Sequence, residues 1–438
     1  MKPKISVKPP GPKARDVLRR DRQYVSGSLR RVYDLVVEKA YGVNIEDVDG
    51  NIFLDFNSSI ATMNFGHSHP EIAAAVSEQL RKATHAAFLD FYGDPPIKFC
   101  EELIDLMPEG LNSVFLSNSG AEAVEAAMKL ARYHTGRKYF LAFDGCFHGR
   151  TYGALSLTAS KTVYRNRFGP FLPVFHAPYP YVYRSKTPDD PESVVSDSVS
   201  FIEDQIFRKQ AGPEEFAAIF VEPVQGEGGY VVPPKNFLGE LRRICDEHGI
   251  LLVDDEVQSG CFRTGRFLAI EHFGVRPDVV CLAKALGGGL PLGATVASRS
   301  VMDWSPGSHA STFGGNFLAC AAGRAVVRLM KDQRLGPSVR EKGARVVSTL
   351  RDMKDSNDAV GDVRGLGLMA GLELSEKHAK KTDSAKAIDR IARDCFEKGV
   401  CFLPAGESTL RIAPPLIIEE EDIDFGLQTL HGTLDQLT

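Results

Sequence analysis

The chain has 438 residues, more than the roughly 250 to 300 at which one hydrophobic core stops growing, so two domains are expected. A hydrophobic share of 43% and a charged share of 25% are ordinary for a globular enzyme, and no apolar run approaches the ~20 residues of a membrane span. Lys and Arg number 52 against 57 Asp and Glu, and the net charge of −5 speaks against a nucleic-acid partner.

The start of the chain, residues 1–23, is basic and proline-rich but has no apolar centre of the kind a secretory signal needs, so it reads as an arm of a cytoplasmic protein. The arginines at 15, 19, 20, 22, 30 and 31 read as a solvated helix face or a subunit contact. Eight cysteines without a CxxC pair read as buried thiols in a reducing compartment. From Asn44 to Phe56 short alternating stretches flank Asp49-Gly50, which predicts a β-hairpin. Residues 57–70 are rich in small and turn residues and read as a loop. His67 and His69 within it have no third ligand at metal spacing, so no metal is expected. Pro70 then opens a helix over Glu71 to Lys82.

From Ser113 onward strands and helices alternate, the pattern of a parallel sheet with crossover helices. Strands are predicted at Ser113–Leu116, Tyr139–Phe143, Ala217–Val221, Ile250–Val253 and Val279–Leu282, and helices at Ala123–His134, Lys235–His248 and Phe317–Lys331. A proline-rich loop covers 178–191. A strand around Leu410-Arg411-Ile412 precedes Pro414-Pro415. The expected organisation is an arm and hairpin over 1–60 that join the small domain, a large domain over 61–331, and a smaller α+β domain over 332–438.

The chemistry gathers between Ile250 and Gly293. A buried apolar strand ends in Asp254, Asp255 and Glu256, and ligands of open α/β sheets bind beyond the carboxyl ends of strands. A second apolar run ends at Lys284, followed by Gly287, Gly288 and Gly289. Burial of a lone ammonium lowers its pKa and leaves an amine that can attack a carbonyl, with a Schiff base as the product. Taken alone, the local pattern also suits a solvated loop lysine. Ser119-Gly120-Ala121 lies where a strand gives way to a helix, suiting either a bound anion or an ordinary helix cap.

The string Asp-Asp-Glu-Val-Gln-Ser-Gly at 254–260, with Lys284 at 284 − 255 = 29 positions beyond Asp255, resembles the signature of class III aminotransferases, which are pyridoxal-phosphate (PLP) enzymes of fold type I. The resemblance runs from about Tyr41 to Leu416. It implies an α/β fold: a large domain with a mainly parallel central sheet, and a smaller α+β domain. By the same resemblance Lys284 carries the cofactor and Asp255 faces its pyridine nitrogen, Asp254 being the competing acid. Val257 and Phe147 sandwich the ring, with His148 beside Phe147. Gln258 meets the ring 3-hydroxyl with Glu222 behind it, and Ser119, Gly120 and Ala121 cradle the phosphate. Thr312, in Ser311-Thr312-Phe313-Gly314-Gly315, matches a threonine that reaches the neighbouring subunit's phosphate, which implies a homodimer or a dimer of dimers.

For substrates the resemblance points to Arg411 for a carboxylate, Glu227 as the residue that swaps onto this arginine, Arg150 for a distal carboxylate, and Ile60 as a side chain of the 4-aminobutyrate type. Phe262 departs from the small residue usual before Arg263-Thr264-Gly265. The implied reaction moves an amino group from an ω-amino acid, of the 4-aminobutyrate or ornithine type, to a 2-oxo acid such as 2-oxoglutarate. An amino-acid racemase on the same scaffold is the alternative.

Overall fold

The computed structural model describes residues 2–376 and 384–436, so parts of the expected 1–60 and 332–438 segments lie outside the described residues. Two compact units emerge: Met1–His69 with Val339–Thr438, and Pro70–Ser338.

Strands β1 (Val37–Tyr41), β2 (Asn44–Asp47) and β3 (Ile52–Asp55) belong to the first unit. The second unit holds β4 (Ser113–Ser117), β5 (Tyr139–Phe143), β6 (Val174–Ala177), β7 (Phe216–Val221), β8 (Leu251–Asp255), β9 (Val279–Leu282) and β10 (Gly293–Ala297). The chain then returns to the first unit through β11 (Val360–Leu366), β12 (Met369–Leu374), β13 (Val400–Cys401), β14 (Leu403–Ala405) and β15 (Thr409–Ile412).

In the larger unit a seven-stranded sheet has the order β4-β10-β9-β8-β7-β5-β6. From β9 to β6 all pairings are parallel, whereas β10 runs antiparallel to both β9 and β4. Every residue of β7 and β8 is buried, as expected of parallel strands covered on both faces. This is the mainly parallel sheet that the alternation of elements predicts.

The helix expected over Ala123–His134 is α1 (Gly120–Thr135) and begins three residues earlier. Ser119 caps it, its hydroxyl accepting from the Glu122 amide at 3.2 Å, and Gly136 at φ 68° ends it. Its small apolar face, including Ala123, Ala127 and Ala131, packs against Phe140, Val253 and Cys281 in the core. The short helix α2 (Tyr152–Leu157) follows β5, and α3 (Phe237–His248) feeds β8.

The smaller unit holds two four-stranded sheets, β1-β2-β3-β13 and β11-β12-β15-β14. The predicted hairpin joins β2 to β3 with Gly50 at φ 85°. The loop read over 57–70 contains a turn that propensity does not suggest: Ser58, Ser59, Ile60 and Ala61 all have φ between 50° and 63°. Four successive non-glycine residues thus form a left-handed turn. His67 has a structural use, its Nε2 lying 2.8 Å from Asp55 Oδ2. Among the described residues no helix is long and apolar enough to cross a membrane.

Candidate active site

Five strands of the large sheet deliver the candidate residues at their carboxyl ends: β4 leads to Ser119–Ala121, β5 to Phe147 and His148, β7 to Glu222, β8 to Asp255–Gln258, and β9 to Lys284. The sequence scatters these residues over 284 − 119 = 165 positions, and the parallel sheet gathers them at one end, where ligands of open α/β sheets bind.

The structure separates the two adjacent acids. Alternate side chains of a strand point to opposite faces, so Asp255 shares a face with Val253, which packs in the core with α1. Asp255 Oδ2 lies 2.7 Å from His148 Nδ1, and Oδ1 accepts from the Val257 amide at 3.1 Å. Burial alone would lower the His148 imidazole, but Cys146 and the Asp255 carboxylate raise it well above its ordinary range. Both oxygens of Asp254 are buried without a hydrogen bond; burial and the neighbouring Glu256 push its carboxyl far up. Asp255 is therefore the acid with a cationic partner.

Glu222 is buried, and its oxygens accept from the amides of Phe147 at 2.8 Å and Gly226 at 2.9 Å. Burial raises its carboxyl to about 7, with His148 opposing the rise. The expected support of Gln258 by Glu222 is not a direct hydrogen bond, because both Glu222 oxygens are taken up by backbone amides. Gln258 Oε1 accepts instead from Tyr230 at 3.1 Å. Phe147 meets Tyr164 edge-on, with centroids 5.6 Å apart. Val257 lies so close to Gly120 that a Cβ there would stand 2.6 Å from Val257 Cγ1, a contact only glycine permits.

At the amino end of α1, Glu122 takes the Asn118 amide at 2.6 Å, and Asn118 Nδ2 donates to Ser311 Oγ at 3.0 Å. The amides of Gly120 and Ala121, which have no acceptor within their own helix, are the ones left for an anion. Next to Ser311, Thr312 and Phe313 are exposed. Lys284 follows β9 with one residue, Ala283, between, is half-buried, and adopts φ 46°. A left-handed lysine is strained, and such strain persists where surrounding structure fixes the backbone.

Glu227 Oε1 accepts from Lys161 Nζ at 2.7 Å and from Tyr164 at 2.9 Å. The Arg150 guanidinium stands over the Tyr164 ring at 4.3 Å. Arg150 and Tyr164 thus adjoin the Phe147 ring, and Tyr164 links them to the Glu227–Lys161 pair. Sequence reasoning misses Lys161, Tyr164 and Tyr230: Lys161 and Tyr164 belong to a single helical turn, Thr162–Arg165 with its cap, and Tyr230 to a loop, and neither is long enough to show a periodicity. In the smaller unit, Ile60 sits on the left-handed turn and is 47% exposed. Arg411, on β15, is buried and donates to the Pro404 carbonyl through Nε at 3.2 Å and Nη2 at 2.9 Å.

These residues fit pyridoxal phosphate: an amine for its aldehyde, a buried carboxylate braced by histidine for its ring nitrogen, and a helix amino end for its phosphate. The sheet and the site define a PLP enzyme of fold type I. The family model for class-III aminotransferases matches residues 26–434, and the chain belongs to that family as a PLP-dependent aminotransferase.

The chain is 42% identical to the acetylornithine aminotransferase of Methanopyrus kandleri, covering 90% of this chain and 92% of that one. It is 33% identical to the alanine/serine racemase of Pyrococcus horikoshii, covering 100% and 94%. The solved taurine:2-oxoglutarate aminotransferase of Bifidobacterium kashiwanohense, in complex with PLP and glutamate, superposes with a TM-score of 0.91 at 28% identity, covering 97% of this chain and 98% of that one.

Proposed function

We propose that this aminotransferase takes its amino group from an ω-amino acid of the 4-aminobutyrate or ornithine type and passes it to a 2-oxo acid such as 2-oxoglutarate. The observation that carries the reading is the cluster of Arg150, Lys161, Tyr164 and Glu227 beside Phe147. Substrates that differ in whether they bear a second carboxylate need a subsite that accepts or replaces that charge, and a carboxylate held by an ammonium and a phenol can be displaced by another anion. Arg411 is the second carboxylate anchor, its fork suited to bidentate contact, and the exposed Ile60 is an apolar wall for a methylene chain.

In this reading Lys284 would hold the cofactor through its amine, and that amine would be the group placed to move a proton at the substrate. Asp255, braced by His148, keeps the ring nitrogen protonated. Gln258 meets the ring hydroxyl, Phe147 and Val257 flank the ring, and Ser119, Gly120 and Ala121 hold the phosphate. When bound, the cofactor supplies an electron sink for the C–H bond that is broken. The exposed Thr312 serves the neighbouring subunit of a homodimer. Eight free cysteines suit the cytoplasm.

A panel of amine donors with 2-oxoglutarate, read as glutamate formed, tests the assignment. ω-Amino acids should lead, and a panel led by α-amino acids would refute it. The racemase relative favours a second reading. A single L-amino acid incubated without oxo acid and resolved by chiral chromatography decides it: accumulation of the D-isomer would make the chain a racemase.

A further inference from the structure

Residues 225–231 form a loop closed by a reciprocal pair of backbone hydrogen bonds, Gln225 to Val231 and back, both at 3.0 Å. Within it Gly229 has φ 127° and Tyr230 has φ 53°. A bulky aromatic residue in the left-handed region is an outlier that needs a reason. Tyr230 is wholly buried, and its hydroxyl donates to Gln258 Oε1 at 3.1 Å. The start of the same loop forms the opposite wall, since a Cβ on Gly226 would stand 2.0 Å from Gln258 Nε2.

A carboxamide has an accepting end and a donating end, and turning it over exchanges them. A phenol hydroxyl can donate to Oε1 or accept from Nε2; here it donates to Oε1, and Nε2 makes no hydrogen bond among the described residues. Gln258 lies three positions after Asp255 on the turn leaving β8, so its amino end is the group available to the cofactor.

We propose that Tyr230 is a positioning residue that locks the Gln258 carboxamide with Nε2 as donor to the ring hydroxyl oxygen of the cofactor, stabilising negative charge on that oxygen. The strained backbone at Tyr230 is the cost of bringing the phenol to that spot. This rests on the PLP reading of the site and adds a residue and an orientation to it.

The test uses Tyr230→Phe, which removes one oxygen, with Gln258→Ala as reference. Binding of pyridoxal phosphate to the cofactor-free protein is measured by its visible absorbance, and the absorbance of the loaded protein is titrated against pH. Tyr230→Phe should weaken cofactor binding by about 3- to 10-fold, the range for one neutral hydrogen bond, and should move the titration midpoint in the same direction as Gln258→Ala. The double variant should be no worse than Gln258→Ala, because the phenol acts only through the amide. If Tyr230→Phe leaves affinity and midpoint at wild-type values while Gln258→Ala moves both, the proposal falls and the site reading stands. If Gln258→Ala moves neither, the assignment of Gln258 to the cofactor is wrong, and the proposal falls with it.

Discussion

The left-handed turn at Ser58–Ala61 makes a prediction whose sign is set by backbone geometry alone. For L-residues the left-handed conformation costs roughly 1–2 kcal/mol per residue, so the turn holds roughly 4–8 kcal/mol of strain by that estimate. Hydrogen bonds of comparable total strength hold it. Asp55 Oδ1 accepts from the amides of Asn57 and Ser58, both at 2.9 Å. Asn57 Oδ1 accepts from the Ile60 amide at 3.1 Å, and Ser58 Oγ donates to the Ala413 carbonyl at 2.6 Å. Ser59, at φ 50° and ψ 50°, is exposed and its hydroxyl makes no hydrogen bond among the described residues. Its side chain can therefore be changed with little effect beyond the backbone.

Ser59→Gly removes the Cβ penalty and adds some unfolded-state freedom, for a net stabilisation of about 0.5–1 kcal/mol. Ser59→Val adds β-branching where φ is positive and should destabilise by about 1 kcal/mol or more. A 1 kcal/mol change moves the Tm of a chain this long by only about 1 °C. Urea midpoints at constant slope are therefore the better measure. Valine at or above wild type with glycine below it would refute the left-handed assignment.

Lys284→Ala should lower turnover by at least about a thousandfold, the scale of a lost positioned proton carrier, read as glutamate formed per enzyme. Lys161→Ala should raise KM for the 2-oxo acid by roughly 10- to 150-fold with a smaller change in kcat, as loss of a charged contact worth about 1.5–3 kcal/mol implies; initial rates over a range of oxo-acid concentration check it. Gly226→Ala must displace Gln258 Nε2, the mobile end of a side chain, so the urea midpoint should hold while cofactor affinity drops several-fold. The carboxyls of Glu222 and Glu256, both raised by burial from 4.5 to about 7, keep protons that the unfolded chain releases. Stability of the cofactor-free protein should thus fall as pH rises from about 4.5 to 7, by about 3 kcal/mol per group. Glu256→Gln should flatten that fall in urea midpoints measured across the window.

What was legible in the sequence followed from local pattern. The parallel sheet could be read because β7 and the start of β8 are unbroken apolar runs, whereas the expectation for Lys284 comes from its spacing after Asp255 in a motif that resembles class III aminotransferases, the local pattern alone suiting a loop lysine as well. Other features depend on what meets in space. No propensity marks Ser58–Ala61 as left-handed, since serine and isoleucine ordinarily avoid that region, and the turn exists only because Asp55, Asn57 and Ala413 hold it. The departure at Phe262 has a related cause. Cys261 and Phe262 have φ of 54° and 63°, so the small residue usual at that position answers a backbone requirement as much as a pocket shape. Tyr230 and Tyr164 were invisible because a loop and a single helical turn carry no periodic signal, and their partners lie 28 and 63 positions away.

The four buried acids near the end of β7 and β8 show why neighbouring carboxylates do not share a role. Asp254, Asp255, Glu256 and Glu222 are all nearly inaccessible, and burial disfavours charge on Asp254, Glu256 and Glu222. Glu222 and Glu256 accept hydrogen bonds from amides or a hydroxyl, which moderates the rise without cancelling it. Among the described residues Asp254 has no hydrogen-bond partner, and it is pushed furthest toward the neutral acid. Asp255 alone of the four has a histidine against its carboxylate, one whose own proton is held more tightly in return. A counter-charge for a protonated ring nitrogen needs a cation at its side in a dry site, and in the proposed reading His148 would be that partner for Asp255. What distinguishes the two adjacent aspartates is thus a residue 107 positions earlier in the chain, which the fold places against Asp255.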